Sequence, residues 1–381
     1  MAYHCGMPTI VSSPTVIDLY SGVGGLSLGA ARAGFRVAAS VELDPIAAAF
    51  HAINFPGTTH LRADVAALNG RALLAEAGLA LGGLHGLIGG PPCQGFSTMG
   101  RNQASDPRND LFRHFFRLVG ETRPAFYLAE NVPGILAPRN LDKAIQGLGD
   151  IPDDYIQLPP IRVEANRYGA PTTRTRIFFL GYDPTKLSAL DLPAFLPQAS
   201  TQEVKVKQAI AGLPRLRSDW QREEQSWRRV AALADSDFGR RAQGTIPPGV
   251  GHPDALRRFE AKGEVSGFLG TLHSEATVAR FSKLKQGEVD QVYRSPRLKL
   301  DGFCPTLRAG TGSDRGSYQA VRPIHPTASR VISPREAARL QGFPDWFVFH
   351  PTKWHSFRQI GNSVSPLVAE RMLAPFLRHL R

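Results

Sequence analysis

The sequence is poor in cysteine and has no long apolar run. Its 381 residues include three cysteines, Cys5, Cys93 and Cys304. They form no C-x-x-C pair and leave an odd one over, so neither a disulfide framework nor a structural zinc site is indicated. No stretch approaches the ~18 consecutive apolar residues of a membrane span. The start, Met1 to Val16, lacks the basic n-region and apolar core of a signal peptide. A soluble protein of a reducing cytoplasm is expected. Acidic residues are also in deficit: 33 Asp and Glu against 45 Lys and Arg leave a net charge of +12, which points to a polyanionic partner, most simply nucleic acid. The length allows about two domains at ~150 residues each and a core that needs no staples.

What is present centres on one loop, Gly89-Gly90-Pro91-Pro92-Cys93-Gln94-Gly95-Phe96-Ser97. The run His85-Gly86-Leu87-Ile88 before it reads as the end of a buried strand. Cys93 then sits where a sheet hands over to a loop, the edge at which open α/β sheets place ligands. Two prolines stiffen the segment, as a nucleophile requires. Read alone, the cysteine is a small buried hydrophobe.

The first element, Thr15 to Tyr20, is a β-branched apolar run ending in Ser21-Gly22-Val23-Gly24-Gly25, and a helix follows that stops at Gly34. Strand, glycine turn and helix open a nucleotide-type α/β domain. The dinucleotide fingerprint is missing its third glycine, because Ser27 stands in that place. S-adenosylmethionine has no pyrophosphate and needs close backbone approach rather than a full phosphate cradle, so the turn fits that cofactor better than NAD. A second strand, Arg36 to Val41, leads to Glu42, 20 residues after Gly22, where a carboxylate reaches ribose hydroxyls. A helix is expected from Pro45 to about Asn54. Asp64, closing a third strand at 63–65, is placed either to accept from an adenine amino group or to cap the segment from Ala66.

Beyond the cysteine loop, a helix is expected over 109–119. The strand Ala125 to Ala129 then runs into Glu130-Asn131-Val132-Pro133. Glu130 thus leaves the sheet at the same edge as Cys93. A carboxyl there is partly desolvated, which favours the neutral form that donates to a ring nitrogen. Arg174 and Arg176 alternate with threonines at strand period, which places both on one face, fit for an anion or a carbonyl oxygen.

These motifs, in order, resemble the DNA cytosine-5 methyltransferases of the bacterial type: the Asp18-to-Gly25 turn, Pro91-Pro92-Cys93-Gln94, Glu130-Asn131-Val132, Arg174-x-Arg176, Arg335 to Pro344, and Gln359 to Val364. The likeness covers about the first 180 residues and the last 50. Two departures are Tyr20 where the family usually has Phe, and Thr172 where it usually has Gln. The resemblance implies a mixed, mostly parallel Rossmann-like sheet with helices on both faces, and a smaller irregular target-recognition domain. The reaction it implies is methyl transfer from S-adenosylmethionine to carbon 5 of a flipped-out cytosine in double-stranded DNA, through a cysteine adduct at carbon 6. Cys93, Glu130, Arg174 and Arg176 would be catalytic. Asp18, Tyr20, Gly22, Gly24, Gly25, Glu42, Asp64, Pro92, Leu111, Asn362 and Ser363 would hold the cofactor, with Asn362 and Ser363 on a glycine turn beside Gly22 and Gly24. Gln94, Ser97, Thr306, Arg308 and Arg315 would meet DNA.

The expected division is 1–182 and 327–381 for the catalytic domain and 183–326 for target recognition. The latter is irregular, with basic clusters around Trp220 and Trp227 such as Arg215, Arg217, Arg222, Arg228 and Arg229; the alternative for those arginines is a solvated helical face paired with Glu223 and Glu224. A monomer acting beside a cognate restriction endonuclease is expected. The alternative function is tRNA cytosine-5 methylation.

Overall fold

The computed structural model describes residues 13–92, 110–216, 226–309 and 322–381. The first half alternates strands and helices: β1 (Thr15–Leu19), α1 (Gly25–Ala33), β2 (Arg36–Val41), α2 (Pro45–Asn54), β3 (Thr59–Leu61), α3 (Gly70–Glu76), β4 (Gly86–Gly89), α4 (Leu111–Thr122), β5 (Phe126–Asn131), α5 (Pro138–Leu148), β6 (Ile156–Gln157), β7 (Ile161–Glu164) and β8 (Thr175–Tyr182). The second half is sparser: α6 (Val206–Ala209), β9 (Arg228–Arg229), α7 (Asp237–Gln243), α8 (Pro253–Lys262), β10 (Glu264–Val265), α9 (Glu275–Lys283), α10 (Pro334–Gln341), α11 (Lys353–Asn362) and α12 (Pro366–His379).

Eight strands form one sheet in the order β3-β2-β1-β4-β5-β8-β6, with β7 also on β8. The pairs from β3 through β5 are parallel, and β8 runs antiparallel to β5, β6 and β7. Strands buried on both faces read as continuous apolar runs, and β1 and β5 are buried at every position. One core lies against α1 and α12, where Phe126 stacks on Phe376 with ring centroids 4.2 Å apart. The other lies against α3 and α4, where Phe112, Phe115 and Phe116 meet Tyr127 and Phe179. The mixed, mostly parallel sheet with helices on both faces is thus as expected.

Helices α1 and α2 keep their expected limits. Gly34 caps α1 in the left-handed conformation, and Asp44 caps α2 by accepting from Ile46 and Ala47. Other limits shift. The third strand ends at Leu61, so Asp64 lies beyond it; β5 continues through Glu130 and Asn131, because both pair with β8. Arg228 and Arg229 form a strand with Glu264 and Val265 rather than a helical face. Apolar residues of the 183–326 segment, among them Val206, Phe238 and Leu298, enter the same core as α1 and α12.

Candidate active site

The strand order reverses between β1 and β4, so the crevice outside their C-terminal ends is the topological switch point at which such sheets take ligands. The turn after β1 and the 90–92 stem after β4 flank it. In that turn Tyr20 has φ 57° and Gly22 φ 56°. No atom comes within 4 Å of where a Cβ on Gly22 would stand, whereas a Cβ on Gly25 would lie 2.3 Å from the Val364 carbonyl oxygen. Gly22 therefore faces open space, and Gly25 is required by the close approach of the C-terminal limb. Glu42 follows β2, and its two carboxylate oxygens each accept a backbone N–H, from Gly22 and Asp44, at 2.8 Å. Burial pushes its carboxyl above the usual range, opposed by those N–H groups. One lone pair per oxygen or more is left for ribose hydroxyls.

Asp18 is sealed inside the sheet rather than on the open face of the turn. Ser27 donates to its Oδ2 at 2.6 Å, His51 Nε2 lies 3.0 Å from the same hydroxyl, and Asp18 Oδ1 has no hydrogen-bond partner. Burial pushes Asp18 up to about 7 and holds His51 well below its ordinary value. A neutral His51 with Nε2 protonated donates to Ser27, which passes its own proton toward Asp18. Sequence reading missed Ser27 and His51, although a serine in the place of the fingerprint's third glycine was the signal.

On the other side of the switch point, Asn131 donates to the Pro91 carbonyl at 3.3 Å, and a Cβ on Gly90 would lie 3.2 Å from Glu130 Oε2. The stem of the cysteine loop, up to Pro92, is thereby fixed against the end of β5. Cys93, Gln94, Ser97 and Arg315 lie outside the described residues. Glu130 is 9 % exposed. Its Oε1 sits 2.6 Å from Arg176 Nε as an ion pair, but off the N–H direction, so this oxygen has no aligned hydrogen bond. The two arginines have different partners: Arg176 goes to Glu130, while Arg174, buried just before β8, donates to the Leu307 carbonyl. Cys304 and Thr172 form a bridge, and Thr173 donates to the Cys304 carbonyl at 2.9 Å. Thr306 and Leu307 thus lie beside the start of β8, some 130 residues away in sequence.

Asp64, Leu111, Asn362 and Ser363 have partners of their own or stand exposed. Asp64 is exposed, and its Oδ1 caps the Val65–Ala67 turn by accepting from Ala66 at 2.9 Å. Leu111 opens α4 and accepts the Tyr20 hydroxyl at 2.9 Å, so the hydroxyl that departs from the family pattern ties the turn to α4. Asn362 ends α11 and Ser363 caps it, rather than both lying on a glycine turn, and Ser363 and Val364 abut Gly25. The Ser363 hydroxyl donates to Gln359, whereas Asn362 is exposed. Leu43, next to Glu42, is 61 % exposed. Arg308 is exposed, and Cys304 is buried with its thiol pushed up by desolvation, an inert site.

A switch-point crevice with a glycine turn, a half-buried carboxylate and an acid–arginine pair at the sheet's edge marks a Rossmann-type α/β enzyme. The profile of C-5 cytosine-specific DNA methylases matches residues 14–376, and the chain belongs to that family. It is a C-5 cytosine DNA methyltransferase. Its relatives include the Type II methyltransferase M.XorII of Xanthomonas oryzae pv. oryzae, 39 % identical over 97 % of this chain and 86 % of the relative. The Type II methyltransferase M1.HphI of Haemophilus parahaemolyticus is 30 % identical over 96 % and 87 %. Among solved structures, a prophage-encoded chain of E. coli described as a DNA modification methyltransferase superposes with a TM-score of 0.87 at 47 % identity, covering 96 % of this chain and 99 % of that one. The Dnmt2 methyltransferase of S. pombe shares the fold alone, with a TM-score of 0.60 at 17 % identity over 96 % and 98 % of the two chains. The tRNA alternative is not favoured.

Proposed function

We propose that the chain methylates carbon 5 of a cytosine turned out of duplex DNA, through a thioether between Cys93 and carbon 6, with S-adenosylmethionine as donor. The observation that carries this reading is the buried Glu130–Arg176 pair at the mouth of the loop that bears Cys93. The open face over Gly22 and the Glu42 carboxylate beside it fit an adenosine ribose, with Asp64, Leu43 and Asn362 at the rim for the adenine and the amino-acid end. Bound there, the donor would supply an electrophilic methyl group on a sulfonium. Tyr20, Gly24, Gly25, Pro92, Leu111 and Ser363 would shape this pocket, and Asp18 would act from beneath the turn.

Carbon 5 of cytosine is a weak nucleophile. Addition of the Cys93 thiolate to carbon 6 opens the carbon 5–carbon 6 π bond, ends the ring's aromaticity and leaves carbon 5 enamine-like. Glu130 would meet ring nitrogen 3, Arg176 the carbonyl oxygen at carbon 2, and Arg174 would hold the Leu307 segment against the site. After methylation carbon 5 loses its proton to a base or water, the carbon–sulfur bond breaks, and the thiolate returns. None of these groups reaches a stacked base, so the nucleotide must be extruded at a cost of about a few kcal/mol.

The 183–326 segment is proposed to recognise the target across the cleft, with Gln94, Ser97, Thr306, Arg308 and Arg315 at the DNA. The Type II naming of the relatives supports a role as the modification half of a restriction–modification system. The chain would work as a monomer in the cytoplasm. Duplex DNA carrying 5-fluorocytosine tests the chemistry, since the substituted carbon cannot release its fluorine as a proton. A denaturant-stable protein–DNA adduct is expected from the wild type and none from Cys93→Ala; an adduct in the variant would remove the nucleophile assignment.

A further inference from the structure

Between β3 and α3 the chain has little apolar anchorage. No residue of β3 is buried, and of residues 62–69 only Val65 is. What holds this stretch is polar and comes from α4. Arg117 Nη2 donates to the carbonyls of Leu68 at 2.8 Å and Val65 at 3.3 Å, and its Nη1 donates to Glu121 Oε1 at 2.6 Å. The other oxygen of Glu121 accepts the N–H of Gly70, the first residue of α3, at 2.6 Å, and a Cβ on Gly70 would lie 2.6 Å from the Glu121 Cβ. Arg117 Nε donates to His114 Nδ1 at 3.2 Å.

An arginine and a glutamate four residues apart on a solvated helix face contribute little. This pair differs, because each partner also bonds backbone outside the helix. Positions 65, 68 and 70 are thereby tied to one turn of α4. Each nitrogen of the Arg117 guanidinium has an acceptor within the chain, so the arginine is committed to this stretch and does not itself face a ligand.

The stretch starts at the crevice. Strands β1 to β4 are parallel, so the segments that leave them emerge at one edge, and the Glu42 N–H donates to the carbonyl of Leu61, the last residue of β3, at 3.1 Å. From there the chain runs to α4, whose first residue accepts the Tyr20 hydroxyl. Burial and the Asp64 carboxylate push that hydroxyl up, and the Arg117 guanidinium draws it back. The turn after β1, Asp64 and Arg117 therefore meet in one place. Asp64 is exposed and caps its own turn through Oδ1, which leaves carboxylate lone pairs for a ligand.

We propose that Arg117 and Glu121 are positioning residues for the methyl donor: by tying 65–70 to α4 they hold the Asp64 carboxylate where it accepts the exocyclic amino group of the adenine. The inference rests on the reading of the crevice as the S-adenosylmethionine site. A carboxylate held in place beforehand binds without the entropic cost of ordering a loop. As an acceptor only, it favours a 6-amino purine over a 6-oxo purine, whose oxygen it repels.

Calorimetric titration of the intact wild type, Arg117→Ala, Asp64→Ala and the double variant, with S-adenosylhomocysteine and with S-inosylhomocysteine, tests this. The wild type is expected to prefer the adenine ligand. Arg117→Ala should weaken binding of that ligand by about tenfold or more and change binding of the inosine ligand by less than about twofold. The double variant should bind no more weakly than Asp64→Ala, because the arginine acts through the carboxylate. With donor and duplex DNA saturating, Arg117→Ala should keep the wild-type kcat while its KM for the donor rises by the same factor as the Kd. A merely structural loss would instead lower kcat and weaken both ligands alike, which would overturn the proposal. Should Arg117→Ala fail to fold, Glu121→Ala, at an exposed position, carries the same comparison. A wild type that binds neither ligand removes the cofactor reading and the proposal with it. A wild type that binds, with full affinity and adenine preference kept in Arg117→Ala or with additive losses in the double variant, removes the positioning role alone.

Discussion

Single residues here carry charge behaviour that the sequence does not announce. Asp18 has its carboxyl pushed up to about 7 from 3.8 by burial. An acid raised in the folded state holds a proton that the unfolded chain gives up, so its contribution to stability is fully present below about pH 4 and is lost as pH rises through about 7. The difference in unfolding free energy between wild type and Asp18→Asn is therefore expected to fall over that window, by up to about 1.4 kcal/mol per pH unit, and to level off above it. Urea melts at a series of pH values check the slope, and a flat difference would contradict a native proton on Asp18. Tyr20 offers a second case. Its buried hydroxyl donates to the Leu111 carbonyl, so Tyr20→Phe is expected to destabilise by about 1 kcal/mol, measurable by the same melts. Equal stability would mean that the bond contributes nothing.

At the scale of elements, α10 explains why the run from Arg335 to Pro344 is so polar yet wholly buried. Its capping box, Ser333 with Glu336, was readable from the sequence and is present. Its partners were not readable. Glu336 also pairs with both Arg330 Nη atoms, Arg335 donates to the carbonyls of Ser266, Pro344 and Phe347, and Arg339 is bidentate to Asp345 while donating to Ala209 and Ala211. The helix is a peg into which loops of the 183–326 segment insert their carbonyls. Asp345→Ala leaves the Arg339 guanidinium buried without its carboxylate and should cost about 3–5 kcal/mol, whereas replacing both partners with Leu and Met costs less. Denaturant melts of the single and double variants decide it; an equal or greater loss in the double variant would refute the ion-pair account.

For the whole molecule the net charge of +12 predicts that binding to duplex DNA is dominated by counterion release. Affinity should fall by about a thousandfold or more between about 50 and about 200 mM salt, linear on logarithmic axes. Titrations of a labelled duplex at several salt concentrations measure this, and a shallow slope would mean that few phosphates are touched. Among the described residues the second segment shares the core of α1 and α12, and Asn54 at the end of α2 accepts the Gly251 N–H while bonding both backbone groups of Val348.

The sequence by itself determined the local script: β-branched runs at strand period, the glycine turn at Gly22, the Pro45 and Pro334 helix starts, and the carboxyl of Glu130 at the end of its strand. Those follow from backbone stereochemistry and side-chain periodicity, which act over a few residues. Only the tertiary structure decided which charges meet. It sent Arg174 to Leu307 and Arg176 to Glu130, spent the Ser363 hydroxyl on Gln359, and gave Asp18 its serine and histidine. Hydrogen bonds and ion pairs between residues more than a hundred positions apart depend on how layers pack, and no local pattern encodes that.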